Sequence, residues 1–296
     1  MKIAYQARDF RNAAVAKIDQ ANQIIDEYAA QGFTLTLRQL YYQFVARDLI
    51  PNAQSEYKRL GSLVSDARLA GLIDWEAIED RTRNLQGNSH WDSPGDIIGS
   101  AAYSYKIDKW ARQPRRVEVW IEKDALVGVI ERICRRLDCD YFSCRGYTSQ
   151  SEMWRAGRRL ARYEEGGQKT YVLHLGDHDP SGIDMSRDIE ERLAIFGANT
   201  RLDRIALNMD QVAEHDPPPN PAKVTDARYA GYVALHGEES WELDALDPPV
   251  LEALIRERVE ALRDKKLWDA DVQAEKLQKK QLEQAAEKWD DLVEHL

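Results

Sequence analysis

The stretches VEVWIEKDAL, at residues 117–126, and LHLGDHDPSGIDM, at residues 173–185, decide the fold. In each, a short apolar run of strand character stops at acidic residues, and a helical pattern follows. The neighbouring predicted elements are a helix at 125–137, a strand at 141–144, a helix at 149–163 and a strand near 204–207. Because strands alternate with helices, the sequence predicts an α/β body with a parallel sheet covered by helices.

Acidic residues mark the carboxyl ends of two predicted strands. Glu122 closes the first strand, and Asp177 and Asp179 follow the third. Ligands of parallel sheets bind beyond this edge, and alternate residues of an extended segment point the same way, so Asp177 and Asp179 can share one cation. Carboxylates without Cys or His pairs favour Mg²⁺ or Mn²⁺ over Zn²⁺. A D-x-D alone is equally typical of a solvated turn, and His178, between the acids, is predicted to be structural.

The first 112 residues form a predicted helical head. Apolar residues recur at helical spacing over 9–31, 36–48 and 55–71, followed by an irregular polar stretch and a linking helix over 96–112. Three short helices suit a helix-turn-helix or winged-helix module, in which the third helix commonly enters the major groove, but they also occur in protein-binding modules. The predicted domains are a winged-helix domain at 1–112, the α/β domain at 113–250, and an acidic helical tail at 251–296 that packs on or extends it.

The second helix of the head carries two adjacent tyrosines within TLRQLYYQF, residues 36–44. Tyr41 continues the apolar stripe that begins at Leu37, so it is predicted to pack in the core. Tyr42 is rotated by about 100° from that stripe and shares a helix face with Arg38. The two tyrosines are therefore predicted to differ in role.

The stretches that hold Glu122, Asp177 and Asp179 resemble a Toprim domain, the metal-binding α/β module of topoisomerases, primases and some nucleases. The continuation DPSG resembles one branch, the A subunit of type IIB topoisomerase (topoisomerase VI) and the related meiotic double-strand-break transesterase. That branch joins a winged-helix domain to the Toprim domain and carries a catalytic tyrosine four residues after an arginine, which is the spacing of Arg38 and Tyr42 here. The resemblance implies that the acids hold Mg²⁺ at the scissile phosphate. It also implies that Tyr42 attacks this phosphate to give a 5′-phosphotyrosyl intermediate.

The resemblance also implies partners. A homodimer would cut both strands of double-stranded DNA, with the tyrosine of one copy working at the metal site of the other. Lys123 and Arg145 are expected to contact the DNA. In the segment WELDAL, which resembles a late part of the A subunits, a cap or salt bridge is favoured over a metal role for Glu242 or Asp244. The chain is shorter than typical A subunits and has no P-loop, so an ATPase B-type subunit would be a separate partner and ATP-driven strand passage is doubtful.

Composition agrees with a globular protein that can meet DNA in spite of its net charge. The 296 residues are 43% hydrophobic and 31% charged, with a net charge of −10. Residues 238–296 hold 17 acidic against 9 basic residues, whereas eight arginines crowd residues 131–162. Because screening isolates distant charges, the net charge does not exclude DNA, although those arginines are also typical of solvated helix faces.

The remaining features predict a cytoplasmic, nucleoid-associated protein. No apolar run is long enough for a membrane span, and no secretory signal is evident. The cysteines Cys134, Cys139 and Cys144 lack metal-binding spacing and are expected to be free thiols. Two other functions stay open: a Toprim nuclease that hydrolyses DNA with water and leaves Tyr42 a bystander, and a non-catalytic winged-helix protein that binds DNA.

Overall fold

Three helices form the head of the protein. The computed structural model describes residues 1–79 and 88–289. The head helices are α1 (Asn12–Ala30), α2 (Leu37–Ala46) and α3 (Gln54–Leu69). They enclose a core of their own, to which Leu40 and Phe44 contribute fully buried side chains. The three predicted helices are confirmed, although the first begins at Asn12 rather than Asp9 because the backbone of Arg11 is extended.

The described part of the head contains no β-hairpin of the kind that forms the wing of a winged-helix domain. The isolated β contacts described there are single bridges that join Leu35 to Ile78 and Ala4 to Ala70. Residues 80–87, within the polar stretch predicted after the third helix, lie outside the described residues. The head is therefore described as a three-helix module.

The predicted linking helix is shorter than expected. Helix α4 (Pro94–Ser104) begins with the Ser93 side chain accepting a hydrogen bond from the amide of Asp96 (3.1 Å), and the following residues are not helical. Both Lys109 and Trp110 are buried, and Trp110 Nε1 donates to the carbonyl of Leu137 (3.0 Å). Adjacent helical residues point about 100° apart, so burial of both favours the irregular turn over a helix that continues to residue 112.

A four-stranded parallel sheet forms the centre of the body. Its strands are β1 (Arg115–Ile121), β2 (Asp140–Ser143), β3 (Lys169–Leu175) and β4 (Arg201–Ala206). They lie in the order β2-β1-β3-β4, and each neighbouring pair is parallel. The predicted α/β class with a parallel sheet is confirmed.

Helices cover both faces of the sheet. The covering helices are α5 (Val127–Arg136), α6 (Gln150–Glu165) and α7 (Pro180–Ile195). Because successive strand residues point to opposite faces, Val119 of β1 packs in the cluster that contains α5, whereas its neighbour Trp120 packs in the cluster formed with α6 and α7. Each face is thus buried by an apolar helix surface.

The elements that follow β4 complete the body and form the tail. The sequence analysis assigned no element to residues 208–247, where the structure has α8 (Met209–His215), β5 (Asn220–Pro221), α9 (Tyr229–His236) and β6 (Glu239–Ser240). The tail consists of α10 (Pro248–Leu262) and α11 (Lys265–Glu287). Helix α10 inserts Leu251 and Ile255 into the sheet core, and α11 lies along α4, with Trp268 edge-on to Trp110. Among the described residues no helix is long and apolar enough to cross a bilayer.

Candidate active site

The carboxyl ends of β1 and β3 bring Glu122 and Asp177 together. The amide of Glu122 donates to the carbonyl of Leu175 at the end of β3 (2.8 Å). Oε2 of Glu122 in turn accepts a hydrogen bond from the amide of Asp177 (2.8 Å). Since the two strands pair in parallel, the acids that follow them meet at one edge of the sheet.

Asp179 stands at the beginning of α7. Its Oδ1 accepts hydrogen bonds from the amide of Gly182 (2.6 Å) and the hydroxyl of Ser181 (2.9 Å). A carboxylate at this position stabilises the helix N-terminus. Asp179 nevertheless lies close enough to Glu122 for its charge to contribute to the raised pKa of that group.

The carboxylate of Asp177 has different partners from that of Asp179. Its Oδ1 accepts a hydrogen bond from the amide of Leu243 (2.7 Å), in the segment that follows β6. The strand ends at Leu175, so the alternation of an extended chain no longer governs residues 177 and 179. The prediction that both acids point at one cation assumed extended backbone over residues 177–179. The strand ends two residues before Asp177, so the backbone there does not support this assumption.

Burial and like charge make the acids at this edge harder to ionise. Burial raises the pKa of Asp177 to about 7, the nearby Glu122 adds to this effect, and the ammonium of Lys123 opposes it. Burial also raises the pKa of Glu122. Carboxylates that share a buried site resist simultaneous ionisation unless a cation compensates them.

Lys123 supplies such a positive charge. Its Nζ lies 3.1 Å from Asp177 Oδ1, 2.7 Å from Glu242 Oε2 and 3.0 Å from Asp244 Oδ1. Only 19% of the Lys123 side chain is exposed. Burial alone would lower the pKa of Lys123, but the three carboxylates raise it above its ordinary value. The structure thus places this residue, expected from the sequence to contact DNA, among carboxylates.

Helix α2 delivers Arg38 to the same carboxylates. A reciprocal pair of hydrogen bonds between Thr36 and Gln39 caps the start of the helix. Arg38 is the second residue of this helix, and its guanidinium lies 3.0 Å from Glu242 Oε2 and 3.2 Å from Asp244 Oδ2. Glu242 and Asp244 therefore stand between two cations, one from the head and one from the body, as the salt-bridge interpretation of this segment predicted.

Tyr42 lies at this junction and is only 4% exposed. Its hydroxyl lies close enough to Arg38 and Glu242 for their charges to act on its pKa. Burial raises the pKa of Tyr42, the charges of Asp244 and Glu242 raise it further, and Arg38 and Lys123 oppose them. In this arrangement the phenol is held protonated.

The other tyrosine of the pair has different surroundings. Tyr41 is equally buried, and its hydroxyl donates to Asn52 Oδ1 (2.9 Å) while it accepts from the amide of Ala53 (2.8 Å). Its ring is edge-on to that of Tyr57. The core role predicted for Tyr41 is confirmed, and the two tyrosines differ in what their hydroxyls meet rather than in exposure.

One short segment, residues 241–247, joins the two halves of the site. Trp241 exchanges two backbone hydrogen bonds with His178 (2.8 and 2.9 Å), which fastens the segment to the D-x-D loop. Asp247, at its other end, accepts hydrogen bonds from Tyr28 Oη and Gln43 Nε2 of the head (2.6 Å each). The sequence does not predict that this segment joins the head to the body. The pair of acids in WELDAL is the feature by which it could have been noticed.

His178 is structural, as expected. Its Nδ1 shares a hydrogen bond with the Tyr232 hydroxyl (2.8 Å), and its ring lies edge-on to His236 and Trp241. The side chain is fully enclosed by these rings and does not join the carboxylates.

The residues expected to bind phosphate lie mostly in ion pairs. Arg145 is exposed, with a positive φ of 53°, and its Nε lies 3.1 Å from Asp124 beside a cavity of about 600 Å³. Within the basic stretch, Arg132 and Arg136 both pair with Glu252 of α10. These contacts hold the tail and body together, so these two arginines are neither free for phosphate nor merely part of a solvated helix face.

Neither the cysteines nor the acids form a ready-made metal site in the described part of the chain. Among the described residues the three cysteines are free and buried, as predicted. Within residues 1–79 and 88–289, no three Asp, Glu, His or Cys side chains form a ready-made metal cage. The donor chemistry still fits a hard divalent cation, because the cluster consists of carboxylate oxygens with the Lys123 ammonium standing among them in the place of a cation.

Comparison with protein-family models, curated proteins and solved structures gives no match to any of them.

Proposed function

We propose that this chain is a Mg²⁺-dependent DNA-cleaving transesterase of the type IIB topoisomerase A-subunit kind, with Tyr42 as its nucleophile. One observation supports this most strongly: the phenol of Tyr42 and the guanidinium of Arg38 lie beside Glu242 and Asp244. The ammonium of Lys123 links these two acids to Asp177, which follows β3. A tyrosine that serves only to pack the core does not require charged side chains around its hydroxyl. The proposal takes the head as a winged-helix domain and the body as a Toprim domain, acting on double-stranded DNA in the cytoplasm.

The proposed step exchanges one phosphoester for another. The Tyr42 oxygen forms a bond to phosphorus, the bond from phosphorus to the 3′ oxygen breaks, and the phosphate stays joined to the 5′ side of the DNA. The phenol loses its proton, and the departing 3′ oxygen takes one up. A phenol of ordinary pKa costs about 4 kcal/mol to ionise at pH 7, so the step needs positive charge near the oxygen. Arg38 supplies it.

Glu122 and Asp177 would hold the Mg²⁺, with Asp179 and the acids of the 241–247 segment close by; Mn²⁺ has the same ligand preference. When bound, the cation neutralises charge on the phosphate and on the departing oxygen. The chain's own residues orient the nucleophile and exclude water from it, because Tyr42 is a buried residue of α2 that lies beside the carboxylates of the 241–247 segment.

We extend the proposal to a homodimer, with any ATPase B-type subunit as a separate protein. Two copies are needed to cut opposite strands, and the resemblance has each tyrosine serve the other copy's acids. In the single chain Tyr42 already lies beside Glu242 and Asp244 of its own body, so exchange requires α2 to leave this contact. Mixing two inactive variants, Tyr42→Phe and Asp177→Asn, tests this point. Restored cleavage indicates action between copies, and continued inactivity indicates action within one.

The second candidate is hydrolysis by water at the same acids. It is favoured by the burial of Tyr42, since a nucleophile must reach its substrate. The third, DNA binding without chemistry, would leave the carboxylates a structural role.

A covalent-trapping experiment separates the three functions. End-labelled DNA is incubated with the protein and Mg²⁺, denatured, and the protein is recovered. The proposal predicts label retained on the wild type and on Tyr41→Phe, the matched control one residue away, but lost from Tyr42→Phe. Cleavage that persists in Tyr42→Phe, with no label on any protein, identifies hydrolysis. Binding without cleavage, unaltered by Asp177→Asn, identifies the third function.

A further inference from the structure

The position of Lys123 is unusual for a lysine that neighbours a proposed metal ligand. It follows Glu122 directly, yet its ammonium turns away from solvent to three carboxylates, the nearest at 2.7 Å. Two of these, Glu242 and Asp244, belong to a segment more than a hundred residues away along the chain. The third, Asp177, is one of the acids proposed to hold the divalent cation.

We infer that Lys123 is an internal counter-ion of this site, and that a divalent cation binds by displacing its ammonium group from Asp177. The inference rests on the proposed function, because it takes the cation site at Glu122 and Asp177 as given. It adds a competitor for that site which is built into the chain.

Electrostatics supports the competition. An ammonium 3.1 Å from Asp177 Oδ1 leaves no room for a second positive charge at the same oxygen, and two cations at such separation repel strongly in a buried site. The other positive charges near the acids have different partners. Arg38 pairs with Glu242 and Asp244, and Arg204 donates to the backbone carbonyls of Gly176 and Asp177.

The lysine side chain is suited to such a move. It is a point charge on a flexible stem, whereas the arginine fork binds in a fixed plane. Its remaining exposed fraction of 19% gives the stem a route toward solvent. Once displaced, the ammonium becomes available to a DNA phosphate, so the contact expected from the sequence would form in the cation-loaded protein only.

Lys109 provides the contrast within the same chain. Its Nζ contacts Glu275 at 2.5 Å and its side chain is 8% exposed, but it lies between α11 and the segment after α4, away from the sheet edge. It represents a buried lysine with a structural ion pair and no cation to compete with.

Direct binding of Mn²⁺, followed by electron paramagnetic resonance, tests the competition in the full chain. Lys123→Met should bind Mn²⁺ about tenfold more tightly or better than the wild type, because the competing charge is gone. Lys123→Arg, which keeps the charge, should not. Equal or weaker binding by Lys123→Met overturns the inference but leaves the proposed cation site standing. No binding by any of the three proteins overturns the inference together with the metal part of the proposed function.

A second measurement uses the wild type alone and so does not depend on a variant folding. Lysine acetylation is quantified by mass spectrometry with and without saturating Mg²⁺. Labelling of Lys123 should rise several-fold on addition of Mg²⁺, while that of Lys109 stays constant. Labelling of Lys123 that does not change under saturating Mg²⁺ contradicts displacement, and an equal rise at Lys109 attributes the effect to general loosening, which contradicts it as well.

Discussion

Acidification should destabilise this protein through His174, a fully buried residue of β3. Its Nδ1 shares a hydrogen bond with the Ser186 hydroxyl (2.9 Å), and the guanidinium of Arg204 lies close enough to act on its pKa. Burial, and secondarily the positive charge of Arg204, lower the pKa of His174 from its ordinary value of 6.5 to about 3. The imidazole therefore stays neutral in the folded protein at any pH above that value.

The size of the effect follows from the difference between the two states. In the unfolded chain the imidazole takes up a proton below pH 6.5, whereas in the folded protein it does so only near pH 3, so the unfolded state binds more protons over this range. Stability contributed by the neutral group is complete above pH 6.5 and is lost as the pH falls. Between pH 7 and pH 5 the loss amounts to about 2 kcal/mol.

Urea unfolding followed by tryptophan fluorescence measures this loss. The wild type and His174→Gln are compared at pH 7 and pH 5, and the wild type should lose about 2 kcal/mol more than the variant. Burial also lowers the pKa of His178, to about 4, and this contribution cancels because both proteins keep that residue. If wild type and His174→Gln lose stability in parallel, the account of the buried imidazole is wrong.

Three further predictions concern packing and charge. Gly182→Ala should lower stability by about 1–3 kcal/mol, because a methyl group there overlaps the carbonyl oxygen of Asp177; an unchanged melting temperature would refute it. Glu275→Ala should cost about 1–3 kcal/mol, since it removes the nearer carboxylate of the buried Lys109 and leaves Asp138, 3.9 Å away, as its partner, and a urea midpoint equal to that of the wild type would count against this. The three buried cysteines should stay unreactive toward a thiol reagent at pH 8 until urea is added, since burial raises the pKa of Cys134 and Cys144 to about 12; rapid labelling of the folded protein would exclude this.

The parts of the site that the sequence predicts correctly are local. Glu122 follows a strand whose alternation is visible over five residues, and the parallel pairing of β1 with β3 then brings it to Asp177. The choice between Tyr41 and Tyr42 is local too, because one turn of helix determines which hydroxyl faces Arg38. Such features depend on periodicity alone.

The parts that the sequence does not predict depend on contacts between distant residues. Nothing near residue 123 indicates that its side chain turns toward Glu242 rather than toward solvent. The linking helix ends early because Trp110 is needed in the body's core, where it meets Trp268 of a helix more than 150 residues later. Tertiary packing overrides local helical preference at such a point.

On the proposed function, the 241–247 segment accounts for a resting protein in which the phenol of Tyr42 stays protonated beside acids. Glu242 and Asp244 attract Arg38, and their charges, added to burial, raise the pKa of Tyr42. The same acids attract Lys123, whose charge partly offsets theirs at the phenol. A cation or a DNA phosphate that enters must change these pairings, since every carboxylate of the 241–247 segment near Tyr42 already has a positive partner. Because one short segment contacts both the D-x-D loop and α2, a change at Asp177 can reach Arg38 through this segment. The ammonium of Lys123 provides a second route, since it contacts both Asp177 and Glu242. On the proposed function, the phenol stays protonated until cation and DNA rearrange these ion pairs, so Tyr42 is expected to be unreactive before they bind.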